Sequence, residues 1–471
     1  MGGGMRMDTE RIKKLDGDEL TYAEFQYEAR NLIESLCGTI AEQSKKIQAL
    51  EDEINRLKGE KGRPKFNKGK DGSGKGGSKD KTGIGASSGK EWSKGSKIDK
   101  IKIDRVEVVT LGKEGLPEDI EFKGYEEKVI QNIVMKTDNV LYRLEKYYSP
   151  STGATYTAQL SGSLKGTSFG AETKALISAL YYESRVTENK IATFLRANGL
   201  QISEGTISNI LIREQSGELT EIKGEIFEAG LASSTYQQID DTGMKIANKN
   251  GYATIICNEK YTAFFINSSK SRETLKKYLP DYLAKLFTVL VCDDAPQFKG
   301  VSERVALCWV HEERHYKKMT PIMEWHRKEL TRVRGEIWEY YQRLLDYRET
   351  PTASKKVELW NDFDLLFGQK TMYDDLNKRL ALTLEKKNEL LTVLDYPEVP
   401  LHNNLSENGV REMVIKRKIS GGVETAEGAK AWENNMSILA TCKKLGVSFY
   451  DFMKGVFSKN ITINLPELIL S

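Results

Sequence analysis

Between Thr235 and Cys308 five short β-prone runs follow one another with a single helix among them, and no other stretch narrows the fold so far. The runs are Thr235–Asp241, Tyr252–Cys257, Tyr261–Asn267, Thr288–Cys292 and Arg304–Cys308, each rich in β-branched or aromatic residues. Ser271–Leu279, between the third and fourth, has helical spacing. Two runs lead into paired acid, Asp240-Asp241 and Asp293-Asp294. Side chains alternate across a strand, so only one member of each pair can face a given side.

Three strands, a helix, a strand ending in acid and a further strand is the order of a ribonuclease-H-like α/β core, here 233–320. Residues 321–398 are charged, with heptad-like apolar spacing and no strand signal, and predict a helical insertion. The core resumes over 399–471, with helices expected at 404–418, 425–445 and 448–457. Upstream, 165–232 predicts a helical domain. Thr187 and Ser203 stand as caps before Glu188–Ala197 and Glu204–Ile212, and Asn198-Gly199 turns the chain between them. Helix, turn, helix is the arrangement of DNA-binding domains that read a major groove.

The N-terminal third reads differently. Residues 1–20 read as a disordered tail. Thr21 and Glu24 have capping-box spacing. A heptad follows over 21–58, with Ile33, Ile40, Ile47 and Ile54 at a, and Leu36, Gln43, Leu50 and Leu57 at d. That pattern predicts a parallel two-stranded coiled coil. The next stretch offers nothing for this helix to pack on, which points to self-association. Lys58 to Lys100 carry 13 Lys and Arg against 5 Asp and Glu among Gly and Ser, so 59–100 reads as a flexible basic tether for a polyanion. Residues 101–164 alternate apolar and polar and predict a small β-rich module, with Arg143 and Lys146 on a basic, aromatic face for DNA contact.

The acids carry the chemistry. Cutting a phosphodiester by in-line attack is served by two divalent ions that stabilise the attacking and leaving oxygens. Mg²⁺ takes hard oxygen ligands, so a few carboxylates from separate elements suffice. One of Asp240/Asp241, one of Asp293/Asp294 and Glu407 meet that need. Asn404-Leu-Ser-Glu407 also has capping-box spacing, which offers Glu407 a purely structural role. Arg411, Lys416, Arg417 and Lys418 follow on the same helix as phosphate clamps. Cys308-Trp-Val-His311 with His315 lacks a partner motif, so zinc is not expected; His311 and Arg314 read as packing or DNA contacts.

These stretches together resemble the DDE transposases of the bacterial insertion-sequence sixty-six family. The resemblance rests on Ile239-Asp-Asp-Thr-Gly-Met244, Leu290-Val-Cys-Asp-Asp-Ala-Pro-Gln-Phe298, Cys308-Trp-Val-His311 with Arg314, and His402-Asn-Asn-Leu-Ser-Glu407 with Arg411 and Arg417-Lys-Ile-Ser-Gly421. It covers most of 165–460. It implies Asp240 and Asp293, with Glu407, as catalytic metal ligands, Mg²⁺ with Mn²⁺ as a substitute, and cleavage and strand transfer of double-stranded DNA at element ends and target. The coiled coil predicts a homodimer or higher homo-oligomer; accessory transposition proteins are further candidate partners, whose need the sequence does not specify. Many relatives carry a cysteine-bearing module after the zipper, whereas no cysteine lies between Cys37 and Cys257 here.

The whole is a multidomain chain: coiled coil, small β module, helix-turn-helix-like domain and ribonuclease-H-like core with an all-α insertion. No apolar run is long enough to cross a membrane and the five cysteines are scattered, so a bacterial cytoplasmic, nucleoid-associated protein is expected. A nuclease of the same superfamily that cuts without joining, and a DNA-binding scaffold with an inert core, are the competing readings.

Overall fold

The computed structural model describes residues 11–12, 15, 20–57, 101–111, 114, 124–160 and 162–471. The expected tail and basic tether lie almost entirely outside them. The chain divides into two units, one of residues 1–51 with 139–471 and one of 52–138. In the second, the described residues of 101–111 and 124–138 form no strand and are largely exposed. Among the described residues of 101–164, the strands of the expected β-rich module are those of one hairpin in the first unit, β1 (Lys146–Ser149) with β2 (Ala154–Thr157). Alternation alone does not make a sheet where no second layer covers the apolar side.

Helix α1 (Tyr22–Leu57) opens with the capping box, in which the Thr21 N–H donates to Glu24 at 2.9 Å. α2 (Ala171–Ser178) leads through a π turn at Ala179–Glu183 into α3 (Glu188–Ala197) and α4 (Glu204–Ile212), as the caps predict. The Ser203 hydroxyl accepts from the Thr206 N–H at 3.1 Å, whereas Thr187 makes no side-chain cap. α5 (Ser216–Ala232) then delivers the chain to the sheet.

The sheet holds β3 (Tyr236–Ile246), β4 (Lys249–Cys257), β5 (Thr262–Asn267), β6 (Val289–Cys292) and β7 (Val305–Leu307) in the order β5-β4-β3-β6-β7. β3, β4 and β5 are antiparallel; β6 and β7 run parallel to β3. α6 (Arg272–Tyr278) makes the crossover from β5 toward β6. β3 runs five residues past the predicted Asp241. Ala247 and Asn248 both take positive φ, a tight two-residue hairpin loop that pairs Ile246 with Lys249.

After β7 come α7 (Trp309–Lys317), the insertion helices α8 (Glu324–Glu349), α9 (Ala353–Gly368) and α10 (Asp374–Leu384), then α11 (Asn404–Ser420), α12 (Ala426–Leu445), α13 (Phe449–Ser458) and α14 (Leu465–Leu470). α12 covers the free edge of β5. Thr441 and Ser437 hydroxyls and the Glu433 carboxylate accept from the N–H groups of Thr262, Phe264 and Ile266 at 3.2, 3.0 and 2.9 Å. Two residues of strand and four of helix advance by nearly the same distance, about 6–7 Å, so the ladder stays in step and the edge is closed to a further strand.

α11 lies along β3. At its start the Leu405 N–H donates to the Gln238 side chain at 3.0 Å. At its end Arg417 donates to the Gly243 carbonyl at 2.6 Å, and the Val423 N–H to that of Lys245 at 3.1 Å. Gly422, at φ 142°, passes so close to β3 that a Cβ would stand 2.4 Å from the Lys245 oxygen. In the middle, a Cβ on Gly409 would meet Ile255 at 2.8 Å.

The expectation that α1 has no partner in its own chain is also corrected. Its first half seats on the insertion, through residues more than 280 positions away that no local pattern could supply. Among the described residues no helix is long and apolar enough to cross a membrane.

Gly409→Val should force α11 off β4 and lower stability by about 1–3 kcal/mol, the scale of core overpacking. Gly335→Ala, in mid-helix with open space around it, should raise stability by about 0.5–1 kcal/mol. Denaturant unfolding of the two variants beside the parent chain measures both.

Candidate active site

Strand register assembles the acids. Gln238 pairs with Val291 across the parallel β3–β6 ladder, so two residues further on Asp240 comes opposite Asp293. Neighbouring strands lie about 4.8 Å apart. Asp240 also pairs with Ile255 on β4, and paired residues share a face. That face is the one α11 covers, since Gly409 rests on Ile255. Glu407, two residues before Gly409, lies about 200° from it around the helix and so points off the sheet contact toward α7, yet near enough for its charge to act on Asp240.

The neighbouring aspartates turn away. Asp241 accepts from Gln297 at 2.5 Å and lies 3.5 Å from the Lys270 ammonium. Asp294 pairs with Lys386 at 2.6 Å and Lys299 at 3.1 Å. Burial alone would raise the Asp294 carboxyl, but the two lysines hold it below the usual range. The Asp293 carboxylate accepts from the Ala295 N–H at 3.1 Å, which fixes the turn after β6.

Asp240 is pushed from 3.8 to about 7. Burial is the largest cause, opposed by the Asp241 N–H that donates to it at 2.7 Å. The charges of Asp293, Asp241 and Glu407 raise it further. Asp240 therefore lies where nearby negative charge and burial together oppose its ionisation.

Glu407 does not cap its own helix. Asn403 is the N-cap and makes no side-chain cap bond, while Gln238 serves Leu405. Instead Arg314 of α7 holds the Glu407 carboxylate at 3.3 Å, and His311 Nε2 lies 3.6 Å from it. Burial, and then the Arg314 charge, lower the His311 pKa, so the ring is neutral and its Nε2 can accept from Arg314 at 2.9 Å. These two residues, read from sequence as packing or DNA contacts, are placed on the acid cluster. Cys308 is buried at the start of α7, its N–H donating to the Cys292 carbonyl at 2.9 Å.

The basic residues of α11 divide. Arg411, Arg417 and Lys418 are exposed. Lys416 is instead half-buried, donating to the Tyr181 hydroxyl at 2.8 Å and lying 4.8 Å from its ring centre, so it packs α11 on the π turn. Lys146 on β1 and Arg143 just before it are exposed.

Besides Lys270 and Lys299, Gln238, Lys386 and Asn403 escaped the sequence reading. Gln238 could have been found, since period 2 puts it on the face of Asp240. Lys386 bridges Asp294 and, at 3.3 Å, Glu312, but sits at the end of the insertion, where no local pattern ties it to β6. Asn403, fully buried with both side-chain polar atoms unpartnered, directly precedes α11.

Among the described residues no three His, Cys, Asp or Glu side chains are gathered closely enough to hold a metal ion. The donor set is of the right kind all the same. It consists of hard carboxylate oxygens, and Arg314 supplies positive charge where a divalent ion would otherwise relieve the repulsion.

The family model described as "Transposase IS66 family" matches residues 166–431. An uncharacterized protein, y4jO, of Sinorhizobium fredii is 30% identical over 301 residues, spanning 48% of this chain and 93% of the relative.

Because the folded-state pKa of Asp240 is raised, its contribution to stability is full below about pH 4 and is lost as pH rises through about 7. Melting temperature in EDTA should therefore fall across that window in the parent chain, and the fall should flatten in Asp240→Asn. Equal slopes would remove the cluster as its cause.

Proposed function

Since the chain belongs to the transposase IS66 family, we propose that it cuts and joins DNA at the ends of an insertion sequence, with Asp240, Asp293 and Glu407 as the DDE triad. The observation that supports this reading is the convergence on Asp240: parallel register brings Asp293, just past β6, opposite it, and the charges of both Asp293 and Glu407 act on its carboxyl. The strand order β5-β4-β3-β6-β7, antiparallel then parallel, supports a ribonuclease-H-like core.

Divalent ions, Mg²⁺ with Mn²⁺ as a substitute, supply charge stabilisation for the attacking and leaving oxygens when bound. The chain's own residues do the rest. β3 and β6 fix two carboxylates to sheet positions, and α11, held to β3 at both ends, fixes the third. Arg314 neutralises Glu407 in the resting protein. Exposed Arg411, Arg417 and Lys418 extend from the same helix and serve as phosphate contacts, a role Lys416 gives up to Tyr181.

The remaining parts follow as proposals. The α3–α4 pair reads double-stranded element ends, Arg143 and Lys146 add DNA contact, and the heptad seam of α1 joins copies into a homodimer or larger assembly. Target DNA and accessory transposition proteins complete the partners. A bacterial cytoplasm, beside the nucleoid, is the place such chemistry requires.

Strand transfer on pre-cleaved end DNA with Mg²⁺ tests the reading. Asp240→Asn, Asp293→Asn and Glu407→Gln should each lose about 10³-fold or more, the scale of removing a main charge-stabilising group. Asp241→Asn should keep most of the activity. Nicking without joined products would make the protein a nuclease. Full activity in Glu407→Gln would sink the triad.

A further inference from the structure

α1 has two unlike faces. On one, Tyr27, Asn31 and Glu34 seat on the insertion. Glu34, 8% exposed, accepts from the N–H groups of Ile322 and Met323 at 2.5 and 2.8 Å and pairs with His326 at 3.2 Å. It thereby caps α8, whose own N-cap Met323 has no capping side chain. Asn31, 3% exposed, accepts from the Asp374 N–H at 2.8 Å and donates to the Met372 carbonyl at 3.1 Å. It does for α10 what the N-cap Tyr373 cannot. The Tyr27 hydroxyl donates to Asp374 at 3.0 Å, and Arg30 lies 5.7 Å from the Trp325 ring centre. Two helix N-termini thus take their missing acceptors from a helix some 300 residues away in sequence.

On the other face Ile33, Leu36, Ile40, Ile47 and Leu50 are exposed, Ile40 by 62% and Leu50 by 63%. At ~100° per residue, the mean directions of the two stripes lie roughly 170° apart. The seam is therefore not the surplus of the docking contact, and both faces can be engaged together. In a parallel, in-register pair each g position faces the e position five residues on in the other helix. Here that sets Leu32 by Cys37, Thr39 by Ser44, and Lys46 by Glu51, so one pair attracts and none repels. The stretch from Ile33 to Leu50 is only about 26 Å long, marginal for a free helix pair. Docking has already ordered its first turns, which lowers the entropy cost of pairing.

We propose that α1 is a two-sided bracket. Its Tyr27–Asn31–Glu34 face is seated on the insertion of its own chain, and its Ile33–Leu50 seam pairs in parallel with the same seam of a second copy. The pairing then reaches the acids through packed elements. α10 holds Glu312 of α7 through Arg379 and Thr383, and Lys386 ties Glu312 to Asp294. α7 carries His311 and Arg314. The bracket sets two catalytic units at a fixed relation instead of leaving them on loose tethers. It builds on the proposed self-association, but no arm of its test reads catalysis.

The experiment uses the full chain, with amide hydrogen exchange and light-scattering mass. Asn31→Ala with Glu34→Ala should speed exchange at Ile322, Met323 and Asp374 by about tenfold or more. Glu34→Gln, of the same shape, should give a smaller rise confined to Ile322 and Met323. Ile40→Glu with Ile47→Glu should turn a dimeric mass monomeric and leave exchange at those amides unchanged. Ile47→Cys should oxidise to a disulfide between copies, which only a parallel in-register pair permits. Unchanged exchange in the docking variants would overturn the seated face, and a monomeric parent chain or no Ile47→Cys disulfide would overturn the paired one.

Discussion

The placement of one helix against one strand decides most of what this protein can do. α11 runs along β3, tied at its start by Gln238 and at its end by Arg417 and the Lys245–Val423 pair. Its 17 residues rise about 25 Å, close to the length of strand between those ties. Between them Gly409 lets the helix backbone down onto Ile255. A side chain there would lift α11 from the sheet face and carry Glu407 away from Asp240. Every statement about the acid cluster depends on that contact.

The cluster has a charge problem and a provisional answer to it. Asp240 is held near neutrality of its carboxyl by burial and by the acids around it, while Glu407 is matched by Arg314. The acids that point elsewhere have lysines of their own, Lys270 for Asp241 and Lys386 with Lys299 for Asp294. The distribution separates the pairs without reference to any relative. Asp241 and Asp294 have lysine partners, whereas Asp240 and Asp293 accept only backbone N–H groups, from Asp241 and Ala295, and no ion pair to either is seen among the described residues.

The insertion is the support that links these parts. Its helix α10 grips α7 through Glu312, and α7 presents Arg314 to Glu407. At its other end α10, like α8, is completed by side chains of α1. Helix N-termini left without acceptors are costly when buried. The insertion thus requires α1, and the acid cluster rests on the insertion.

The sequence determined the elements. The order and kind of elements in the sheet region, the α3–α4 pair and the heptad of α1 were legible, because side-chain period and caps are local properties; the ends of β3 and β4 were not, since the hairpin between them extends both. The acids were legible as candidates for the same reason. Reading failed wherever a second layer decides. Residues 101–111 have strand periodicity but form no strand, and Glu407 has capping spacing but bonds to α7. The choice of Asp240 over Asp241 came, at the level of sequence, from family likeness alone. The tertiary structure adds which face each aspartate takes: a strand sends alternate side chains to opposite faces, and only packing establishes that α11 covers the face of Asp240 and Ile255. The seating of α1 on the insertion was wholly unreadable, since it joins groups some 300 residues apart, and no local pattern encodes a contact at that range.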